Sequence, residues 1–424
     1  MNFLAKGAAV YFISNIFNAL APLILLPYLT RTITPSELGE ITMFQTFVLG
    51  LGAFVGLSVH GAAARKYFDK EVTSDELSSY VGACIQILIV TFFLTFLVGL
   101  MFISQLSELL SIRESWVLVA ISASFFSFII QLRLSQWQIR HKSHSYGFIQ
   151  VGLSVSDLLL SVVLISYVSL NYEGRVISIF SVYLLFATIS LYSLSKDRLI
   201  NIKSFCWIRI KEILDFGVPL IPHVIGAFFL VAADRFIINL RLGLDDAAFY
   251  MVAVQFSLAL KLVFDASNKV YSPWLFSKLA NNDFSDKLLI VKYSYMFAIF
   301  AILIGLAYGS VGPFFIGLVA GSDYIKAADA FLFICLGQSF NGLYLMVTNY
   351  IFYTKNTKRL SFITIFVGML NIVLLWFLIP SYGLLSAGIA FLCSNVLRFI
   401  LTWYFAKVEI NMPWFYFIKT TKVR

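Results

Sequence analysis

Charged residues are scarce in this sequence. Asp, Glu, Lys and Arg make up 12% of its 424 residues, whereas a soluble domain has about 25%. Hydrophobic residues make up 60%, and they occur in runs that reach the length of about 20 residues needed to cross a bilayer. This composition excludes a soluble globular protein and predicts an all-α integral membrane protein with many transmembrane helices.

Cysteine and histidine are also few, and they are not clustered. The four cysteines lie far apart with no CxxC pair, and no histidine joins them at metal-ligand spacing. We therefore expect free thiols, no metal site and no cofactor.

Long segments outside the apolar runs are missing as well. The longest connection predicted on the outer side is 311–327, and its only acidic residue is Asp323. A membrane enzyme would need a larger domain or a pair of carboxylates, so we expect no enzyme. The net charge of +9 comes from basic residues in short connections rather than from one folded patch, and this pattern argues against a nucleic-acid partner.

Hydropathy predicts twelve transmembrane helices. The predicted spans are residues 8–28, 41–60, 79–103, 116–133, 147–170, 176–194, 213–233, 247–265, 290–310, 328–352, 360–380 and 383–406.

The distribution of Lys and Arg predicts the orientation of these spans. The termini and the even-numbered connections carry 23 of the 31 basic residues, and the odd-numbered connections carry six. Because cytoplasmic loops are rich in Lys and Arg, both termini are predicted to be cytoplasmic. The spans on either side of the middle connection then form two parallel halves.

Each predicted half contains 194 residues. The domains are a six-helix bundle at 1–194, a cytoplasmic interfacial linker at 195–212, a second six-helix bundle at 213–406 and a cytoplasmic tail at 407–424. Two such bundles related by an axis along the membrane normal are typical of transporters, which handle their substrate between the halves.

The stretch that opens the second half is interrupted. Pro219, Pro222 and His223 break an apolar run, and proline in lipid requires neighbouring protein or water to satisfy the freed backbone. Span seven is therefore either a cavity-lining helix or a bent packing helix.

Three stretches lie in order along nearly the whole chain: residues 27–31 (PYLTR) with 36–39 (SELG), residues 234–238 (DRFII) with Tyr250, and residues 371–384, which end in IPSYGL. Together they resemble the bacterial O-antigen and polysaccharide repeat-unit flippases of the multidrug/oligosaccharidyl-lipid/polysaccharide exporter superfamily. This chain departs from the family at two packing positions, where Ala248 and Ser386 replace common glycines.

The resemblance implies a V-shaped pair of six-helix bundles in the bacterial inner membrane. Such a protein moves an undecaprenyl-diphosphate-linked oligosaccharide from the cytoplasmic to the periplasmic leaflet by alternating access. Its partners would be this substrate and membrane lipids, and the resemblance extends the list to a polysaccharide polymerase and a chain-length regulator.

Charged residues inside spans cost roughly 2.5–3.5 kcal/mol each on insertion scales, so each one is a functional candidate. Asp157 is predicted near the midplane, where it needs a partner or water. Lys261 and Arg398 are the candidate diphosphate ligands, although Lys261 could instead pair with Asp265, four residues further along the helix. Arg133 is a substrate-binding candidate that could also simply snorkel to the cytoplasmic surface.

Residues at the helix ends are candidates for gating or ion coupling. Arg31, Asp234 and Arg235 lie at outer ends, where gate ion pairs and ordinary interfacial anchoring both fit. His60 and His223 could carry a coupling proton or serve as packed polar groups.

Two other functions stay open at this point. A cation-coupled drug exporter of the same superfamily would use an acidic residue in the first helix of a bundle, and span one has none, although Asp157 keeps this alternative open. A polysaccharide polymerase would need the catalytic carboxylates or outer domain that the sequence lacks.

Overall fold

The computed structural model describes residues 2–69, 72–168, 170–281, 283–354, 358–414 and 416. This part of the chain is helical and contains no strand. Twelve of its helices are long and apolar enough to cross a membrane, so the predicted all-α class and number of spans are confirmed. Spans one to twelve are Ala9–Thr32, Pro35–Val55, Ser74–Met101, Glu114–Ile139, Ser143–Ser166, Glu173–Lys196, Trp207–Val231, Leu244–Asn281, Phe284–Ala320, Ser322–Thr354, Arg359–Tyr382 and Leu385–Glu409.

Three short helices lie between spans. Val59–Lys66 follows span two, Ile103–Leu110 follows span three and Asp234–Leu242 follows span seven.

Side-chain caps define where several spans begin. At span two, the Thr34 hydroxyl accepts a hydrogen bond from the Glu37 backbone N–H, while the Glu37 carboxylate accepts one from the Thr34 backbone N–H at 2.8 Å. Pro35 is the first helical residue, a position that lacks a backbone hydrogen bond in any case. The Thr73 hydroxyl caps span three in a similar way, through the Glu76 N–H at 3.2 Å.

Spans eight and nine are longer than predicted. Hydropathy gives 247–265 and 290–310, whereas the helices are Leu244–Asn281 and Phe284–Ala320, because polar turns continue each helix beyond its apolar segment. Span nine runs through Pro313 without a break, so its predicted end at residue 310 is wrong. Gly309 and Gly312 let span ten approach so closely that added side chains would collide with Leu332 and Phe331.

Span seven is interrupted as the sequence predicts. Its two α-helical parts, Trp207–Gly217 and Ile221–Val231, are joined by a 3₁₀ turn at Val218–Leu220 that contains Pro219. The helix begins inside the predicted linker of 195–212, whose remaining part is tied to span three. The Asn201 N–H donates to Ser78 O at 3.0 Å, and the Gln86 side chain donates to Ile202 O at 2.6 Å.

The chain forms two compact units. Unit one comprises Met1–Phe228 and Gly243–Ala248, and unit two comprises Phe229–Leu242 and Phe249–Arg424. In unit two, span ten packs closely against spans nine and twelve. The parallel arrangement of six-helix bundles, the linker and tail assignments and the cytoplasmic termini stay predictions.

The start of the predicted tail is part of the unit-two core. Trp414 is buried and packs against Tyr350 and Trp403, while its carbonyl accepts a 2.5 Å hydrogen bond from Tyr295. Residues 415 and 417–424 of the predicted tail lie outside the described residues.

Candidate functional site

A cavity of about 610 Å³ lies within unit one. We call it the unit-one cavity. Spans one, two, four, five, six and seven contribute to its wall. Its polar lining residues are Asn18, Gln45, Ser58, His60, Ser127, Gln131, Ser154, Asp157, Arg175 and Tyr183.

The wall includes a break in the backbone after span two. Leu57 and Ser58 adopt φ values of 38° and 52°, in the left-handed region that L-residues rarely occupy. At membrane depth such backbone is tolerated where it lines a cavity or is buried in protein, and strained backbone often accompanies function. The sequence prediction carried span two through His60, so this correction moves His60 from a helix end to the cavity wall.

Asp157 has the partner that its position demands. Arg175 Nη1 lies 2.5 Å from Asp157 Oδ1 and also donates to Ser161 Oγ at 2.8 Å. Ser178 donates to the same Asp157 oxygen at 3.1 Å. The arginine is buried, and its Nε has no partner among the described residues. Sequence reasoning missed Arg175 because it counted this residue in an outer connection, whereas it lies in the first turn of span six.

The Asp157–Arg175 pair leaves the unit-one cavity without a clear net charge. Burial lowers the pKa of His60 below its usual value, which keeps this imidazole neutral at pH 7. The remaining polar groups are amides and hydroxyls, and Ser154 donates to Asn18 Oδ1 at 2.7 Å. Such a wall suits a neutral ligand with many hydroxyl groups better than an anion.

Arg133 is also neutralised by a carboxylate. Its Nη2 lies 2.5 Å from Asp197 Oδ2 and 2.7 Å from Ser193 Oγ, and its guanidinium stacks on Trp137 at 4.1 Å. Only 1% of its surface is exposed. Burial raises the pKa of Asp197, but the hydrogen bond and charge of Arg133 outweigh it and hold that pKa below its usual value.

Arg398, near the middle of span twelve, has a different environment. Its guanidinium lies 3.5 Å from the centre of the Tyr344 ring, and Nη1 donates to Asn341 Oδ1 at 3.3 Å. Its Nε is buried and has no hydrogen-bond partner in the described part of the chain. Among the described residues, no carboxylate lies within 4.0 Å of this arginine, so its charge is stabilised only by neutral groups.

Lys261 and Asp265 lie one turn apart on span eight, as predicted. Lys261 is exposed and Asp265 is half-buried, and within the described chain no ion pair shorter than 4.0 Å joins them. Their charges still influence each other, but the alternative of a close local ion pair has no geometric support.

The candidate gate residues are divided between the two units. Asp234 is buried in unit two, where Tyr250 donates to it at 2.5 Å and Arg235 lies 3.8 Å away. Burial raises the pKa of this carboxyl above its usual value. Arg31, in unit one, is exposed at the end of span one, and His223 is exposed beside the 3₁₀ turn of span seven and does not line the unit-one cavity.

Several of the intramembrane asparagines bridge neighbouring helices. The polar partners are Tyr146 for Asn15, Asn268 for Asn349 and Ser394 for Asn371. Asn18 bonds with Ser154 and also lines the unit-one cavity.

A family model described as polysaccharide biosynthesis protein matches residues 4–279. An uncharacterised membrane protein of Haemophilus influenzae is 27% identical over 372 residues, which cover 87% of this chain and 88% of that protein. A Shigella flexneri protein, named as a candidate O-antigen transporter, is 24% identical over 272 residues, or 62% of this chain and 63% of that protein.

Solved structures share the fold. The lipid II flippase MurJ, in an inward closed conformation, matches with a TM-score of 0.75 and 13% identity, covering 95% of this chain and 87% of that one. An inward-facing multidrug resistance MATE family transporter of the MOP superfamily matches with a TM-score of 0.74 and 12% identity, covering 92% and 94% of the two chains.

Proposed function

Because the chain belongs to the polysaccharide biosynthesis protein family and is a multi-pass membrane protein, we propose that it is a flippase for a lipid-linked oligosaccharide. It moves an undecaprenyl-diphosphate-linked repeat unit, of O-antigen or a similar polysaccharide, from the cytoplasmic to the periplasmic leaflet of a bacterial inner membrane. The mechanism is alternating access, without catalysis of bond formation or cleavage.

The observation that carries this proposal is the environment of Arg398. A diphosphate needs positive charge that no protein carboxylate has already neutralised. Asp197 and Asp157 neutralise Arg133 and Arg175, whereas the described part of the chain offers Arg398 no carboxylate. An ionised residue in a membrane span that lacks a counter-ion is a functional-site hypothesis by default. Arg398 is therefore the principal diphosphate ligand, and exposed Lys261 is the second.

The unit-one cavity supports the oligosaccharide part of the proposal. Sugars present hydroxyl groups that both donate and accept hydrogen bonds, and Asn18, Gln45 and Gln131 offer amides with the same double capacity. Tyr183 adds a ring face on which a sugar can pack. Asp157 and Arg175 neutralise each other, so this pair is not a diphosphate ligand.

A deletion strain tests the proposed function. It should lose surface polysaccharide and accumulate lipid-linked repeat units on the cytoplasmic side of the inner membrane. Translocated but unpolymerised repeat units would identify a polymerase instead. Complementation with the wild-type chain is the control.

A cation-coupled drug exporter is the second candidate, because Asp157 lies in the unit-one cavity and the MATE transporter shares the fold. The close ion pair with Arg175 disfavours it, since a carboxylate already paired with a guanidinium has little charge left for a drug cation. In the deletion strain this candidate predicts unchanged polysaccharide and increased toxicity of cationic dyes.

A further inference from the structure

A second cavity, of about 370 Å³, lies within unit two between spans eight, nine and ten. We call it the unit-two groove. Its lining residues are Ser267, Asn268, Tyr271, Tyr293, Met296, Phe297, Phe300, Gly342 and Met346. Aromatic rings and methionines dominate this set, so the surface is apolar and adaptable in shape.

Aromatic rings keep the groove open. At one end, Trp274 contacts Tyr271 and Tyr293 with ring centres 5.7 and 5.6 Å apart. At the other end, Phe264 and Phe297 meet at 6.1 Å. Span eight is thereby held at a distance from span nine, and the space between the two ring contacts stays unfilled.

Three polar side chains of the groove already have partners in the protein. Asn268 Oδ1 accepts a 2.7 Å hydrogen bond from Asn349, and Ser267 donates to the Val263 carbonyl at 2.8 Å. The Tyr271 hydroxyl lies 3.4 Å from that of Tyr350. A sugar or a phosphate would find few free groups here, whereas a hydrocarbon chain needs none.

The rim of the groove is open to the outside of the protein. Tyr293, Met296 and Phe300 are 47%, 54% and 49% exposed, and in a membrane such apolar rims face lipid. Lys292, also exposed, directly precedes this rim, and no charged residue follows it up to the end of span nine at Ala320. The rim therefore begins where charge ends, at the predicted cytoplasmic surface of the bilayer.

We infer that the unit-two groove binds the polyprenyl chain of the lipid-linked substrate, with the diphosphate-bearing end of the chain on the side of the groove where Lys292 lies. This inference rests on the proposed function. Isoprenoid units carry a methyl branch and a double bond, so they fill a wide, ring-lined pocket and pack on ring faces more completely than a straight acyl chain does.

Photolabelling of the full chain in vesicles of phosphatidylethanolamine and phosphatidylglycerol tests the site. The probe is a polyprenyl phosphate that carries a diazirine in its chain, and mass spectrometry locates the label. We expect labelled residues within spans eight to ten at the groove, with competition by unlabelled polyprenyl phosphate but not by added phosphatidylglycerol. This measurement needs no variant.

A groove-filling variant and its control sharpen the result. Ser267→Trp places a large ring in the groove and removes only a bond to the helix's own backbone. Ser277→Trp makes the same change on the same helix at an exposed position outside the groove. Ser267→Trp should weaken labelling by at least about tenfold, because excluding two buried methylene groups has that effect, while Ser277→Trp should not.

Equal labelling of the groove by a diazirine-bearing phosphatidylglycerol would identify ordinary boundary lipid and overturn the inference, as would polyprenyl label confined to other spans. The two proposals fail in distinguishable ways. Normal flipping without groove labelling would reject the groove alone, whereas specific groove labelling in a protein whose deletion leaves polysaccharide unchanged would reject the proposed flipping.

Discussion

Arg398 lies within a span, where its side chain is half-buried, its guanidinium stacks on Tyr344 and no carboxylate of the described residues lies within 4.0 Å. At an effective dielectric of about 20, a cation about 4 Å from a phosphate gains on the order of 4 kcal/mol before desolvation is counted. Even part of this energy changes binding more than tenfold.

The first prediction concerns the charge at this position. Arg398→Lys should retain much of the flipping activity, Arg398→Gln should lose most of it, and Arg398→Glu should be inactive. The readout is surface polysaccharide divided by the amount of protein in the membrane. Arg359→Gln is a matched control, because Arg359 forms an accessible ion pair with Glu409 that contributes at most about 1 kcal/mol. Full activity of Arg398→Gln would remove Arg398 from the site.

The second prediction concerns the Asp157–Arg175 pair. Asp157→Asn leaves a buried guanidinium without its counter-ion, and such a change costs roughly 3–5 kcal/mol. The melting temperature of the Asp157→Asn variant in detergent should fall clearly, and that of the Arg175→Gln variant should fall as well. The double variant Asp157→Asn/Arg175→Gln should be more stable than either single variant, since neither charge is then left alone. A double variant less stable than both would show that the pair does not act as a unit.

The third prediction is a pH dependence at Asp197. Arg133 lowers the pKa of this carboxyl in the folded protein, compared with about 3.9 in an unfolded chain. The stabilisation that the Arg133–Asp197 pair contributes is thus complete above about pH 4. It is lost as the pH falls through the lower pKa that Asp197 has in the folded protein. Asp197→Asn should be less stable than wild type at pH 6, and the difference should shrink toward pH 3 in thermal unfolding. A difference that grows with acidity would contradict this assignment.

At the scale of whole helices, hydropathy predicts the all-helical class and the number of spans. All twelve spans are recognisable because each contains an apolar run of a length and hydropathy that soluble folds do not contain. The ends are harder to predict, as the extension of span eight to Asn281 shows, because a helix that leaves the membrane no longer needs apolar residues. Caps such as Thr34 with Glu37 define an end more sharply than hydropathy does.

The site was less predictable than the helices. The sequence identifies Asp157 as an unusual charge, but its partner Arg175 is 18 residues away, on another helix, and no periodicity connects the two. The backbone break at Leu57 and Ser58 carries no proline, so only its coordinates reveal it. Tertiary packing decides both features.

The fourth prediction concerns the contact between span three and the linker. A Cβ on Gly82 would collide with the Asn201 carbonyl, whereas one on Gly317 would meet Ile325 at an ordinary 3.4 Å. Gly→Ala inside a helix normally stabilises by up to about 1 kcal/mol. Gly82→Ala should therefore lower the melting temperature in detergent, while Gly317→Ala should maintain or raise it. Equal effects of both variants would mean that the linker moves away from the added methyl group without loss of stability.

The fifth prediction concerns the orientation of the whole chain. In a background without the native cysteines, Lys203→Cys should be cytoplasmic and Ser381→Cys periplasmic, as the distribution of basic residues predicts. Both positions are exposed, so neither is hidden by packing. An impermeant maleimide added to intact cells should label only position 381. Labelling at 203 from outside would invalidate the predicted orientation.

The ion pair between spans five and six also bears on how the protein is made. Asp157 and Arg175 belong to Ser143–Ser166 and Glu173–Lys196, which only six residues separate. The Asp157 charge alone would oppose release of its helix into lipid by roughly 2.5–3.5 kcal/mol. A newly synthesised hairpin that forms the Asp157–Arg175 ion pair before it enters lipid enters as a neutral pair of helices. The two helices should therefore leave the insertion machinery together, and biogenesis of this half of the chain should proceed in pairs of helices at this point rather than one at a time.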